Sequence, residues 1–423
     1  MRIGRRELLV GAGAAALAGR ALAQPQPASP APSRNERIAA AAREHRHRLD
    51  LANDVFSGPA WDWLLARGRE AQFFLIGEQH GIAENPRLAA ALFRALAPAG
   101  YAHAAIEISP PMAGEYDRVL RAGGIDAFRR FYAEPGNQAA FFGMREEAEW
   151  LAAAVAAGQG NRPVLWGMDY EVGADRHLLR MLKAKPKPAA AGAALTALEA
   201  ASNASWARYA ETRNPQFMYS FAGDPALVET LRAAWPRADA GARQIMDTLQ
   251  ATFEINRFWS QNRGWESNAR RAQLMRANFL AYWRAERAAG RSPRLMMKMG
   301  SYHLMRGLSG TDVYDLGTLV PEIAALEGAK AFQLLVLNGP GTETAQFDPT
   351  AYVYRNAPES ELHDKLAPLI GGSFESGFTL FETAPLRGLA RLGAAGVDND
   401  LARAVHGFDA ILILTGSTPS ANL

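Results

Sequence analysis

The segment 71–109, AQFFLIGEQHGIAENPRLAAALFRALAPAGYAHAAIEIS, constrains the fold more than any other part of the chain. An apolar run ends on Glu78 and His80, a helical stretch opens near Glu84, and a second apolar run ends on Glu107. Two buried strands joined by one amphipathic helix make a βαβ unit, in which the strands are parallel. Ligands bind at the carboxyl edge of such strands in open α/β sheets. The segment therefore predicts an α/β fold with ionisable residues at its functional edge.

Apolar runs of strand length recur along the chain and are separated by helical stretches. Most of these runs are apolar on both faces, as in strands that helices cover from either side. They are Phe73–Ile76, His103–Ile108, Val164–Gly167, Leu295–Met299, Phe332–Leu337 and Ala410–Leu414. The alternation predicts a mostly parallel central sheet flanked by helices.

The spacing between the third and fourth runs predicts the domain organisation. Well over 100 residues lie between them, and residues 175–290 have the pattern of one helix after another. We expect an α/β catalytic core formed by residues 36–174 and 291–423, with a large helical insertion, 175–290, over the carboxyl edge of the strands. The alternative is that these helices simply flank the sheet. Before the first strand, residues 37–67 are predicted to be largely helical.

The N-terminal residues are typical of an export signal. Paired arginines, Arg5 and Arg6, precede a short apolar stretch and an Ala-x-Ala exit at residues 21–23. This pattern predicts a twin-arginine signal peptide over residues 1–23, followed by a disordered Pro/Ala linker over residues 24–35. The apolar stretch is too short to cross a bilayer, so we expect no stable membrane span. The predicted location is the periplasm or the exterior of the cell.

Composition excludes several classes of partner and chemistry. The formal net charge is +3, and no Lys/Arg-rich tract follows the signal, so a nucleic-acid partner is not expected. The chain has no cysteine, which excludes thiol catalysis and thiolate metal sites. We expect a small-molecule substrate as the partner, and the sequence leaves the oligomeric state open.

Polar residues follow four of the predicted strands, and parallel strands would bring them to one edge. They are Glu78 and His80 after the first, Glu107 after the second, Asp169 and Glu171 after the third, and His303 with Arg306 after the fourth. A single Glu-x-His pair is common, and a lone buried histidine is more often a core residue. Agreement among four strand ends instead favours a functional cluster.

The chemistry of these residues suits acid–base catalysis. Glu78 and His80 are two residues apart, so they face the same way in an extended segment. A carboxylate beside an imidazole fixes the tautomer of the ring, as a general base requires. His303 could supply a second acid–base group or, like Arg306, hold an oxyanion. Arg271 lies on a helix and could bind an anion or a carbonyl, or it could face solvent.

Several common catalytic motifs are missing from the sequence. It contains no G-x-S-x-G elbow, no H-E-x-x-H metal motif and no G-x-x-x-x-G-K-[ST] phosphate loop. Serine-hydrolase and nucleotide-binding functions are therefore not predicted.

Given these residues, the chain resembles the superfamily that holds erythromycin esterase-like hydrolases, Tiki/TraB-type proteins and ChaN-like haem-binding proteins. The matching pieces are LIGEQHGIAENP, AAIEIS, RRAQLMRANF, MGSYHLMRG and FDAILILTGSTPS, spread over most of Phe73–Ser420. In the esterase-like branch, which is held to work without metal, the resemblance implies that the histidine matching His80 activates water. It also implies that the carboxylates matching Glu78 and Glu107 position this water. The residues matching His303 and Arg271 would stabilise the carbonyl.

One departure from the esterase pattern keeps other branches open. The esterases' first motif usually has two residues between Glu and His, whereas Gln79 stands alone here. This shorter spacing is closer to the Tiki and ChaN-like branches, in which the same edge binds a metal ion or haem.

Three functions follow as hypotheses. The first is an exported hydrolase of an ester, lactone or related carbonyl substrate without a cofactor, and it assigns roles to eight residues. Its catalytic residues are His80, Glu78, Glu107 and His303, and its substrate-binding residues are Glu84, Asp169, Arg271 and Arg306. The second is a hydrolase or peptidase that depends on a divalent metal bound by Glu78, His80 and His303. The third is a haem-binding protein with His80 or His303 as an axial ligand.

Overall fold

A computed structural model describes residues 32–158, 160, 162–358 and 361–423. The predicted signal peptide and residues 24–31 of the predicted linker lie outside the described residues. The first helix begins at Arg34, because Ser33 and Glu36 form a reciprocal capping box at its N-terminus. The last two residues of the predicted linker are therefore helical.

The strands of the described residues fall into one large sheet and one separate hairpin. They are β1 Arg46–Ala52, β2 Val55–Ser57, β3 Phe73–Glu78, β4 Tyr101–Ile106, β5 Leu165–Gly167, β6 Arg294–Gly300, β7 Ala331–Asn338, β8 Glu343–Asp348, β9 Val353–Pro358, β10 Phe378–Glu382 and β11 Ala410–Leu414. The order in the large sheet is β2-β1-β10-β11-β7-β3-β6-β4-β5, and β8 pairs with β9.

The helices of the described residues are α1 Arg34–Glu44, α2 Pro59–Glu70, α3 Glu84–Leu96, α4 Pro110–Ala133, α5 Arg145–Ala157, α6 Asp175–Lys183, α7 Ala189–Thr212, α8 Tyr219–Ala222, α9 Pro225–Ala234, α10 Ala240–Ser260, α11 Gly264–Ala288, α12 Ser301–Leu304, α13 Leu316–Leu326, α14 Glu361–Lys365, α15 Ala367–Ile370 and α16 Asn399–Gly407. Short 3-10 turns occupy Ala97–Ala99, Pro215–Phe217 and Ala384–Leu386. None of these helices combines the length and apolar character that crossing a bilayer requires.

The predicted mostly parallel α/β sheet is confirmed. All six predicted runs are strands, and the neighbouring strands from β11 through β7, β3, β6 and β4 to β5 pair in parallel. The remaining strands, β10, β1 and β2, extend this sheet by antiparallel pairing. Residues 46–57 were predicted to be helical and form β1 and β2 instead. The side chains of this segment are mostly half-buried or exposed, so it lacks the long apolar run that marked the central strands.

Strand β3 shows why the central runs are apolar on both faces. Phe74 and Ile76 pack into the same core cluster as helix α3, on one face of the sheet. Phe73 and Leu75 point the other way and pack with α11 and α13. The chain therefore leaves β3 toward one face, whereas it leaves the neighbouring strand β6 toward the opposite face. Such a switch in direction opens a crevice at the carboxyl ends of the two strands.

Helices α6–α11 occupy the segment that was predicted to be a helical insertion. The last of them, α11, lies against a face of the sheet, with the rings of Phe279 and Phe73 6.1 Å apart. Nearer its N-terminus, the same helix carries Arg271 to the residues that follow β4 and β5. The hairpin β8–β9, which the sequence analysis did not predict, also reaches this edge, where Ala345 N donates to Gly81 O.

Candidate active site

Glu78, the last residue of β3, and His80, two residues later, contact each other at the carboxyl edge of the sheet. His80 Nδ1 lies 3.0 Å from Glu78 Oε1. The other carboxylate oxygen of Glu78 accepts a hydrogen bond from Asn85 and forms an ion pair of 2.6 Å with Lys298. Glu78 is thereby fixed in place by buried partners and, in turn, orients the imidazole of His80.

A buried charge cluster lies beneath this pair. Lys298 Nζ is 2.6 Å from Glu147 Oε1 as well as from Glu78, and all three side chains are almost wholly inaccessible. Burial would lower the pKa of Lys298, but the charges of the two carboxylates raise it. Burial raises the pKa of Glu147 to about 7, even though Lys298 acts in the opposite direction. One buried ammonium group thus compensates two buried carboxyl groups.

Glu107, which follows β4, is the carboxylate at the centre of the site. Its Oε1 lies 2.6 Å from Arg271 Nη2, and its Oε2 accepts a 2.7 Å hydrogen bond from Gly300 N. Burial would raise the pKa of Glu107, but the surrounding positive charges, above all His80, outweigh burial and lower it to about 2. Glu107 is therefore a carboxylate with a fixed orientation at neutral pH.

Asp169, after β5, shares the guanidinium of Arg271 with Glu107. Arg271 Nε lies 3.0 Å from Asp169 Oδ1, and Nη2 also contacts Asp169. The guanidinium lies 5.1 Å from the centre of the Tyr170 ring. These contacts tie the ends of β4 and β5 to helix α11.

Two imidazoles present the same nitrogen to Glu107. His80 Nε2 is 3.6 Å from Glu107 Oε2, and His303 Nε2 is 3.5 Å from Glu107 Oε1. The Nδ1 of His303 lies 2.6 Å from the buried carboxylate of Asp315. Each ring is therefore oriented through Nδ1 by its own carboxylate, and each directs Nε2 toward the shared one.

Both rings line one cavity of about 540 Å³, which we call the catalytic cavity. Its walls include Glu78, Glu107 and Gly300 as well as residues of β8. The His80 side chain is 32% exposed, so the ring is within reach of solvent, whereas the Glu78 side chain is only 4% exposed. The His80 ring is thus accessible to a small molecule, whereas the Glu78 carboxylate that orients it is buried.

Two neighbours hold the His80 ring closely. A Cβ on Gly300 would lie 3.0 Å from His80 Nε2, so a larger residue at this position would push the imidazole aside by a few tenths of an ångström. On its other side, Phe141 stacks on the imidazole with ring centres 4.2 Å apart. The backbone of Phe141 has φ of +68°, a left-handed conformation that is uncommon for a bulky residue.

Charge around His80 changes its titration. Burial would lower the pKa of this imidazole, but the charges of Glu107 and Glu78 and the hydrogen bond to Glu78 together raise it. Both carboxylates therefore favour the protonated ring, so His80 becomes neutral at a higher pH than an ordinary histidine.

The structure brings most of the predicted site residues together. Those that line the catalytic cavity are Glu78, His80, Glu107, Arg271 and His303. Asp169 lies directly behind Arg271, beside a smaller cavity of about 80 Å³.

Two predicted substrate-binding residues lie elsewhere. Glu84 accepts hydrogen bonds from the backbone and hydroxyl groups of Thr418, so it anchors the segment after β11. Arg306 forms an ion pair of 3.2 Å with Asp409, which directly precedes β11 and therefore lies at the opposite edge of the sheet. The structure does not place either side chain in the catalytic cavity.

Other contributing residues were not predicted as members of the site. For Lys298 the sequence did contain an indication, because a lysine inside an apolar strand needs a buried partner. The sequence contained no such indication for three others, because each comes from an element far along the chain. Asp315 caps helix α13, Glu147 lies in helix α5, and Phe141 lies in a loop.

The donor atoms of the site do not fit a divalent cation as they stand. The carboxylate of Glu78 is occupied by His80, Asn85 and Lys298, and that of Glu107 by Arg271 and a backbone N–H. In the part of the chain that the structure describes, no three His, Asp or Glu side chains are grouped to hold a metal ion. The metal-dependent and haem-binding alternatives remain predictions.

Comparisons with known proteins bear on the fold. No protein-family model matches the chain, and no curated protein matches its sequence. Among solved structures, a succinoglycan biosynthesis protein aligns with a TM-score of 0.60 and 14% identity, covering 92% of this chain and 99% of the other. A mutant of the erythromycin esterase EreC in its open conformation aligns with a TM-score of 0.59 and 15% identity, covering 89% and 98%.

A third structure, of a protein from Bacillus cereus, aligns with a TM-score of 0.53 and 13% identity over 93% of this chain and all of the other. At these identities the likeness shows the fold alone. The predicted resemblance is therefore confirmed as a likeness of fold, which this chain shares with an erythromycin esterase.

Proposed function

We propose that the protein is an exported hydrolase of an ester, lactone or related carbonyl substrate, in which His80 activates the attacking water. One observation carries the proposal. Two imidazoles, each oriented through Nδ1 by its own carboxylate, direct Nε2 toward the buried Glu107 at the wall of one open cavity. This arrangement provides a general base and a hydrogen-bond donor on either side of one carboxylate. The export part of the proposal rests on the sequence of residues 1–23.

In the first step, neutral His80 accepts a proton from water at Nε2. The oxygen of this water forms a bond to the carbonyl carbon, and the carbonyl π electrons move to oxygen. The N–H at Nδ1 remains directed at Glu78, which stabilises the imidazolium that forms. Glu107 accepts a hydrogen bond from the attacking water, because its Oε2 lies 3.6 Å from Nε2, a separation that one water can bridge.

In the second step, the tetrahedral intermediate collapses. His303 donates a hydrogen bond through its Nε2–H to the oxyanion until the carbonyl double bond re-forms, while Asp315 holds the other side of its ring. The bond from carbon to the leaving oxygen breaks, and His80 returns its proton to that oxygen. Arg271 is a positioning residue, because its contacts with Glu107 and Asp169 keep Glu107 in place.

The proposal is tested on purified protein with a panel of p-nitrophenyl esters, alkyl esters and lactones, with and without exhaustive chelation. We expect hydrolysis that survives chelation. In water labelled with ¹⁸O, one labelled oxygen should enter the acid product, which mass spectrometry detects. Activity that disappears on chelation and returns with a metal would replace this mechanism by the metal-dependent one. Failure to hydrolyse any of the panel would contradict the proposal.

The pH profile provides a second prediction. Because the base must be neutral, kcat/KM should rise with pH through the pKa of His80, with a midpoint above the ordinary value of about 6.5. Glu107→Gln removes the largest charge that favours the protonated ring. We therefore expect its midpoint to move to lower pH even though its maximal rate also falls.

The matched control is Glu229→Gln, which makes the same change on the exposed face of α9 and should leave the midpoint in place. An unchanged or raised midpoint in Glu107→Gln would show that His80 is not the titrating base.

A further inference from the structure

A second cavity lies next to the catalytic cavity and has a different chemical character. It has a volume of about 380 Å³, and we call it the aromatic cavity. The side chains that define it include Tyr132, Phe141, Val172, Phe347, Tyr352 and Tyr354. Its volume falls in the range of about 300–1,000 Å³ that is usual for small-molecule sites.

The two cavities share part of their walls. Phe141, Phe347 and Tyr354 line both of them. Phe141 is also the residue whose ring lies 4.2 Å from the ring of His80. Phe141 therefore places the aromatic cavity close to the proposed base.

Several polar groups of the aromatic cavity already have hydrogen-bond partners within the protein. The hydroxyl of Tyr132 donates to Ala139 O, and the Gln138 amide donates to Glu134 O. The backbone N–H of Tyr354 donates to Asn422 Oδ1. These pairings leave aromatic and aliphatic surface as the main feature presented to a ligand, so the occupant gains its binding energy from apolar contact.

We propose that the aromatic cavity is the subsite for an apolar group of the substrate, a hydrocarbon chain or ring attached to the carbonyl or to the leaving oxygen. The inference rests on the proposed function, because it places the reacting carbonyl beside His80 and the apolar group in the adjoining aromatic cavity. It identifies the substrate class as esters or lactones with a substantial apolar portion rather than acetyl esters of small alcohols. Val172, at the wall of the aromatic cavity, is then a specificity-determining residue.

The test compares the wild type with Val172→Phe, which fills part of the aromatic cavity without altering a residue of the proposed chemistry. Val55→Phe is the matched control, since Val55 is 64% exposed on β2. The probes are methyl ketones from 2-butanone to 2-nonanone, which carry a carbonyl and a growing chain but no hydrolysable bond. Calorimetry gives their Kd, and two ester series, varied in the acyl or the alcohol chain, give kcat/KM.

For the wild type and Val55→Phe, we expect Kd to fall by up to about fourfold for each added methylene. Val172→Phe should bind 2-butanone as the wild type does and 2-nonanone at least about tenfold more weakly, with the same selective loss of kcat/KM in one ester series. Equal effects on short and long ketones, or wild-type binding that does not depend on chain length, would overturn the proposal.

The ketone measurement keeps this inference distinct from the proposed function. Chain-length-dependent ketone binding without hydrolysis of any ester would leave the aromatic cavity as a binding site and remove the hydrolase. Ester hydrolysis with no preference for longer chains would support the hydrolase and overturn the aromatic cavity as a substrate subsite. If Val172→Phe does not fold, Phe347→Ala replaces it, because Phe347 is 38% exposed and its loss removes a wall shared by both cavities. It should flatten the dependence of Kd on chain length, and an unchanged dependence would overturn the proposal.

Discussion

Replacement of His80 by asparagine is expected to lower kcat/KM for ester hydrolysis by about 10²- to 10⁴-fold, the usual contribution of a positioned general base. Asparagine is close in size to imidazole and can still meet Glu78, but it cannot take a proton from water at neutral pH. The loss should fall mainly on kcat, because the proton transfer occurs only in the transition state. Steady-state kinetics on the preferred ester of the panel measures this change.

The chain offers a close control for this variant. His47 also pairs with a carboxylate, lying 2.6 Å from Glu382, but on β1 and β10 at the antiparallel side of the sheet. His47→Asn removes a comparable contact without touching the catalytic cavity, so its kcat/KM should stay within about twofold of the wild type. A His80→Asn enzyme that keeps wild-type kcat while remaining folded would rule out His80 as the base.

The central strands could be predicted because their local sequence shows that both of their faces are buried. Runs such as Phe73–Ile76 and Ala410–Leu414 are apolar at every position, which only a strand covered on both faces requires. The antiparallel strands gave no such signal. β1 contains Arg46, His47 and Arg48, and it is a strand because β10, over 300 residues later, supplies its hydrogen-bonding partner.

The hairpin β8–β9 was missed for a related reason. Its burial pattern is mostly exposed, so no long apolar run marks it. At the catalytic cavity, Ala345 N of this hairpin donates to the carbonyl of Gly81. The turn at Gly81 requires the left-handed backbone with φ of +81°, and a Cβ there would collide with Ala345.

The site was predictable where strand order alone decides position. Glu78 ends β3, Glu107 follows β4, and Asp169 lies two residues after β5. These strands run in parallel within one sheet, so the sheet brings the three side chains to one edge. Glu84 and Arg306 begin a helix or follow a short one, where the direction of the side chain depends on packing rather than on strand order. The carboxylate that pairs with an imidazole is also hard to predict from local sequence. Asp315 contacts His303 from its position at the N-cap of α13.

Lys298→Met is expected to reduce the free energy of unfolding at pH 7 by about 3–5 kcal/mol, which is typical when one partner of a buried ion pair is removed. The Lys298 side chain is only 2% exposed, and its ammonium group lies 2.6 Å from both Glu78 and Glu147. Methionine fills similar space but leaves two buried carboxyl groups without a positive charge. Urea denaturation measures the loss, and Lys330→Met is the matched control. Lys330 is 70% exposed beside Glu70, so its loss should cost less than about 1 kcal/mol.

The pH dependence of the Lys298→Met variant separates lost charge compensation from lost packing. Burial already raises the pKa of Glu147 to about 7, and removing Lys298 removes the charge that lowers it, so the folded-state pKa rises further. A carboxyl group with a raised folded-state pKa stabilises the fold below its unfolded pKa, and this stability is lost as pH rises through the folded pKa. The deficit relative to wild type should therefore be larger at pH 8 than at pH 5. Lys298→Met combined with Glu147→Gln should recover part of the loss at pH 8, because one of the two uncompensated carboxylates is gone. A deficit that is the same at both pH values, with no recovery in the double variant, would mean that Lys298 contributes through packing alone.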